Sequence, residues 1–104
     1  MLYDQFIGKV QEYADLDSRD DAERAIAATL ETLGERISRV HRKHLAAQLP
    51  RELSAYVLKR HETERYLQEE FLKRVAARAE LRFHDALRRA RAVLRTLREA
   101  VSEG

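Results

Sequence analysis

Residues 18–38, SRDDAERAIAATLETLGERIS, return 64 residues later as 82–102, RFHDALRRARAVLRTLREAVS. Ala22 matches Ala86, Arg24 matches Arg88, Ala28 matches Ala92 and Leu30 matches Leu94. Thr32 with Thr96, Leu33 with Leu97, Glu35 with Glu99 and Ser38 with Ser102 extend the correspondence. Upstream, Phe6, Val10 and Leu16 match Phe71, Val75 and Leu81 at an offset of 65, so one residue is missing from the second turn. Two helical segments matching in order imply a tandem duplicated unit. The expected fold is all-α: a bundle of about six helices, with a first repeat over 2–58, a linker near 59–65 and a partial second repeat over 66–104.

A chain of 104 residues is one domain by length. One Pro and three Gly leave little turn material, so the connections are expected to be short. Without cysteine there is no disulfide, thiolate nucleophile or thiolate zinc site. No apolar run is long enough to cross a membrane, and MLYDQFIGKV lacks the basic start and apolar core of a signal peptide. These features point to a cytoplasmic protein with no membrane partner. The net charge of +2 hides a division: residues 1–40 hold five basic and nine acidic groups, and residues 41–104 hold fifteen and nine. Charge that differs by half bears on partners more than the total does.

Leu2, Phe6, Val10 and Tyr13 recur at helical steps, predicting a first helix from Leu2 to Ala14. Gly8 within it suggests the close approach of another helix. Ser18 reads as the N-cap of a second helix, with Asp20, Asp21 and Glu23 in its positive first turn. Its expected buried face is Ala22, Ile26, Leu30, Leu33 and Ile37, with Gly34 and Ser38 fraying its end. Ser38 also suits the cap of a short third helix that stops before Pro50. A fourth follows, started by Pro50 and carrying Leu53, Tyr56 and Val57. The fifth is expected at about Glu64 to Ala79, burying Leu67, Phe71, Leu72 and Val75. Nothing after Ser102 corresponds to His41–Leu58, so the second unit is expected to lack two helices. A homodimer is the expected cover for the edge this leaves.

Phe-x-x-x-Val at Phe6–Val10 and Phe71–Val75 is followed by an acidic cap and Ala-x-Arg-Ala at Ala22–Ala25. Leu-x-Thr-Leu-x-Glu-Arg-Ile-Ser at Leu30–Ser38 and Leu-Ala-Ala-Gln-Leu-Pro at Leu45–Pro50 complete the pattern. Over the whole chain it resembles a bacterial family known as domain of unknown function 2267. The resemblance implies an all-helical duplicated unit, continuing in family members to a second Gln-Leu-Pro-like segment. It implies no activity and no site residues.

The grouping with most chemical content is a row of arginines. His84, Arg88, Arg91, Arg95 and Arg98 recur at steps of four and three, which aligns them along one side of the last helix. Its expected apolar face is Leu87, Ala90, Leu94, Leu97 and Val101. Lys73, Arg74, Arg78, Arg82 and Arg89 add charge nearby. Guanidinium groups in a row suit phosphates or carboxylates, because each presents a planar fork of donors. The equally simple reading is a solvated face that keeps the helix soluble. His41 and His44 stand one turn apart, but no further metal ligands can be assigned. The acidic residues near Ser18 are accounted for by capping, and Tyr3, Tyr13, Tyr56 and Tyr66 by the rim of the core. No Gly-rich phosphate loop or nucleophile elbow is present. No catalytic residue, cofactor-binding residue or metal ligand is therefore assigned.

The leading expectation is a non-catalytic protein-interaction or scaffolding module that self-associates as a homo-oligomer, a dimer, or binds a protein partner. The alternative is a binder of polyanions, nucleic acid or acidic protein, through Arg88, Arg91, Arg95 and Arg98.

Overall fold

The structure, a computed structural model, describes residues 1–102. Glu103 and Gly104, the end of the expected second repeat, lie outside the described residues. Six helices follow in order: α1 (Tyr3–Ala14), α2 (Arg19–Arg36), α3 (Arg39–Ala47), α4 (Arg51–Val57), α5 (Gln68–Ala79) and α6 (Phe83–Ser102). The all-α expectation holds, with no strand among the described residues.

Local chemistry sets the helix ends. Ser18 Oγ accepts from the Asp21 N–H at 3.2 Å, and Ser38 Oγ accepts from the His41 N–H at 3.3 Å. Each bond satisfies one of the first-turn donors that a helix leaves without a partner. Pro50 is the N-cap of α4, where its missing N–H costs nothing. α1 ends at Asp15 and α5 at Glu80, both left-handed, with φ of 56° and 57°. Leu16 N–H donates to Gln11 O and Leu81 N–H to Ala76 O, each at 2.9 Å. The same cap thus closes two helices at positions 65 residues apart.

Packing is organised around α2. It contacts α1, α4, α5 and α6, while α1 lies on α6 and α3 lies on α4. Its small residues allow this: Ala22, Ala25 and Ala28 let neighbouring backbones approach from several sides, and all three are buried. Phe6, Ile26, Leu30, Leu53 and Val93 lose all exposure. Burying a side chain of this kind stabilises the fold by about 1.5–3 kcal/mol. A second cluster joins Leu72, Val75 and Ala79 of α5 to Ala86 and Ala90 of α6, with Ala28 of α2.

Four local expectations are corrected. The buried face of α6 is Ala86, Ala90, Val93, Leu97 and Ala100, turned by about one residue from the expected one. Leu94 is 36% exposed, because alanines on the true face bring α6 closer to α1 and α2 than leucines would. α5 begins at Gln68 rather than near Glu64, and Leu67, expected in the core, is 83% exposed at the N-cap. Gly34 does not fray α2: it is buried within the helix, where α4 passes closely. Ser38 lies beyond the end of α2 as the α3 cap.

Gly8 is the fourth. It is exposed, and a Cβ built there meets nothing within 4 Å among the described residues, so none of the other five helices approaches it. Gly8→Ala is therefore expected to stabilise the protein by about 0.5–1 kcal/mol through helix propensity alone. A thermal melt with an unchanged or lower midpoint would contradict this.

Candidate functional site

The arginine row is present on α6, with Arg88, Arg91, Arg95 and Arg98 all exposed. The structure brings three of them together with a residue from the far end of the chain. Arg88, Arg91, Arg95, His84 and Leu87 line a groove of about 340 Å³ with Tyr13 of α1. The Arg95 guanidinium lies 3.7 Å from the centre of the Tyr13 ring. The Tyr13 hydroxyl in turn lies 2.8 and 3.0 Å from the two Glu99 carboxylate oxygens. Arg98 is not part of this groove. The Arg88 and Arg91 side chains have neither a hydrogen bond nor an ion pair among the described residues.

The other basic residues expected nearby divide. Lys73 pairs with Glu69 at 3.3 Å along α5. Arg74 and Arg78 turn away from the α6 row and reach the carboxylates of α2. Arg74 donates to Glu35 Oε1 at 2.8 Å and to Glu70 at 2.9 Å, and also pairs with Glu64. Arg78 donates to Thr32 Oγ1 and to Glu35 Oε2, each at 2.9 Å. The Tyr66 hydroxyl completes the set at 2.9 Å from Glu35 Oε1. Glu35 is only 5% exposed. Burial works to raise its carboxyl pKa, but hydrogen bonds from Arg78, Arg74 and Tyr66 overcome it and hold the value at about 2. One turn earlier, Glu31 accepts from Arg60 Nε at 2.8 Å and lies 3.5 Å from Lys59 Nζ.

These contacts hold residues 59–66 against α2. The polar segment KRHETER is not a loose tether: the Glu64 N–H donates to Glu35 O at 2.9 Å, and Arg36 Nε donates to Tyr66 O at 2.8 Å. Arg42, only 3% exposed, is the central pin. Its Nε donates to Gly34 O, its Nη1 to His61 O, and its Nη2 to Ile37 O and Thr63 Oγ1. It thereby caps the carbonyl end of α2 and at the same time fixes residues 59–66, the strap between α4 and α5. Sequence reading missed Glu31, Glu35 and Arg42. Only the placing of Glu31 and Glu35 one turn apart within an Ala-, Thr- and Leu-rich stretch hinted at burial.

A second groove, of about 380 Å³, opens where α2, α5 and α6 meet. Leu33, Phe71, Leu72, Leu87 and Leu94 form its apolar walls, and Arg36 and Arg91 stand at its edges. No carboxylate among the described residues lines it. The histidines offer less: His41 and His44 are exposed, and no three His, Cys, Asp or Glu converge as a metal site among the described residues. Among the described residues no helix is long and apolar enough to cross a membrane.

The class these features define is a small all-α domain wrapped around one central helix, with its open surfaces between helices. Residues 3–104 match the family described as Uncharacterized conserved protein (DUF2267), and the chain belongs to that family. No curated protein and no solved structure matches it.

Proposed function

We propose that the protein is a non-catalytic interaction module that receives an amphipathic helix of a partner protein in the groove between α2, α5 and α6. The observation that supports this is the apolar wall of Leu33, Phe71, Leu87 and Leu94, open to solvent and edged by Arg36 and Arg91. Apolar walls suit leucine-type anchors spaced along one helix face. Cationic edges select acidic flanks, by complementarity that governs specificity and encounter rate. A symmetric pair of copies meeting through this groove would gather two Arg36 and two Arg91 around one seam that no carboxylate of the described residues lines, which disfavours that arrangement. The duplicated architecture provides the scaffold, and the protein works in the cytoplasm without a cofactor.

A labelled synthetic helix with leucines on one face and glutamates beside them tests this directly. Leu94→Asp is expected to weaken its binding by about tenfold or more, since a buried carboxylate there meets apolar walls. Unchanged affinity would sink the proposal. Light scattering at low and high salt supplies the other arm. A dimer that survives high salt and is dissolved by Leu94→Asp would make a second copy the occupant instead.

The free guanidinium groups of Arg88 and Arg91, beside Arg95 held on Tyr13, favour polyanion binding as a second reading. Binding of that kind falls steeply with salt. It would be lost in Arg88→Glu, which leaves the apolar groove intact.

A further inference from the structure

A different surface carries an inference independent of that groove. Between α3 and the strap lies a cavity of about 350 Å³ lined by Arg39, Arg42, Lys43, Leu58, Arg60 and His61. Four of these six are arginine or lysine, and no carboxylate among the described residues lines the cavity. Arg39 and Lys43 stand at i and i+4 on α3, a spacing at which like charges destabilise a helix. Neither has an ion pair or side-chain hydrogen bond among the described residues.

Arg42 makes the arrangement more than a solvated basic patch. Its guanidinium is nearly sealed from solvent, yet every acceptor it meets is neutral: three carbonyl oxygens and one hydroxyl. A buried charge ordinarily has a counter-ion, and the partial negative charge at the end of α2 compensates only part of this one. Of the five N–H groups of a guanidinium, those four bonds leave one Nη1 donor without an acceptor among the described residues. Arg60 is already oriented by Glu31, its Nε donating at 2.8 Å. Arg42 and Arg60 are thus held in place before any ligand arrives, which lowers the entropy lost on binding.

We propose that this cavity binds the phosphate group of a small molecule, with Arg39, Lys43 and Arg60 as its charge partners beside the buried Arg42. A doubly charged tetrahedral oxyanion offers several acceptors to guanidinium forks at once. It would also relieve the repulsion between Arg39 and Lys43. The volume lies within the range of small-molecule pockets, and Leu58 provides an apolar surface for the organic part.

The test is calorimetric titration of the purified chain with inorganic phosphate and with inorganic pyrophosphate at low salt, with amide NMR to locate the site. Saturable binding is expected, with shifts at residues 39–43 and 60–61. Arg39→Gln combined with Lys43→Gln should weaken it by about tenfold or more. Both side chains are exposed and unpaired among the described residues, and the variant also loses their mutual repulsion, so it should melt at or slightly above the parent. Arg88→Gln combined with Arg91→Gln should leave the affinity unchanged. The proposal is overturned by absence of saturation at millimolar ligand, by equal weakening in the Arg88 and Arg91 variant, or by shifts confined to α6.

Discussion

Replacing Glu35 with alanine is expected to cost about 3 kcal/mol of stability, because it removes the shared acceptor of a nearly buried charge network. Arg74, Arg78 and the Tyr66 hydroxyl all converge on this carboxylate. Removing one member of a buried ion pair costs about 3–5 kcal/mol, since the other charge is stranded. The Arg74 and Arg78 side chains keep 27% and 20% exposure, so water can reach them and the lower end applies. For a domain of this size the loss corresponds to a melting midpoint lower by roughly 12–24 °C. Adding Arg78→Met to the alanine variant should restore part of it, because Arg78 is then left with no carboxylate nearer than Glu31 at 4.0 Å, whereas Arg74 keeps Glu64 and Glu70. A loss below about 1 kcal/mol would place the network among ordinary surface pairs.

The same carboxylate predicts how stability depends on pH. Its folded pKa, about 2, lies below its ordinary value, so its contribution is fully present above about pH 4.5. That contribution fades as pH falls from there towards 2. The gap between parent and Glu35→Ala in urea denaturation should therefore narrow between pH 7 and pH 3, by about 1–2 kcal/mol. A gap independent of pH would mean that Glu35 acts by packing rather than by charge.

What the sequence reveals here is chemistry that acts within a few residues. Ser18, Ser38 and Pro50 mark helix starts because a cap bonds, or omits a bond, inside its own first turn. The alignment of Arg88, Arg91, Arg95 and Arg98 is legible for the same reason, being fixed by helical periodicity. What lies opposite a face is not encoded in its period. Arg78 looks like one more cation beside the α6 row until the fold sets Glu35 before it. Tyr13 reads as a rim residue, and only the α1–α6 packing puts it beneath Arg95. Leu94 falls on the apolar face that the helical period predicts, whereas the alanines around it decide which face packs. Arg42 is hardest to foresee, since its partners are backbone carbonyls that carry no mark in the sequence.

Gly34→Ala should be as damaging as the loss of Glu35, and opposite in sign to Gly8→Ala. On propensity alone, alanine would favour a helix interior by about 1 kcal/mol. At position 34 the new Cβ would lie 2.1 Å from Val57 O, 2.9 Å from Val57 C and 3.2 Å from Val57 Cα. Those are backbone atoms, so no side chain can rotate away to relieve the contact. Val57 is fully buried at the end of α4, and the strap that follows is pinned by Glu31 and Arg42. Separating α2 from α4 would therefore disturb the core and the strap together. Overpacking typically costs 1–3 kcal/mol, and an unyielding backbone neighbour puts this case at about 3 kcal/mol or above. The position 64 residues later carries Arg98, whose long side chain is exposed. Thermal melts should thus move in opposite directions for the two glycine variants. Amide exchange at residues 57–66 should quicken in Gly34→Ala alone. If Gly34→Ala melted with the parent, the close crossing of α2 and α4 would not exist in solution, and the strap would need another anchor.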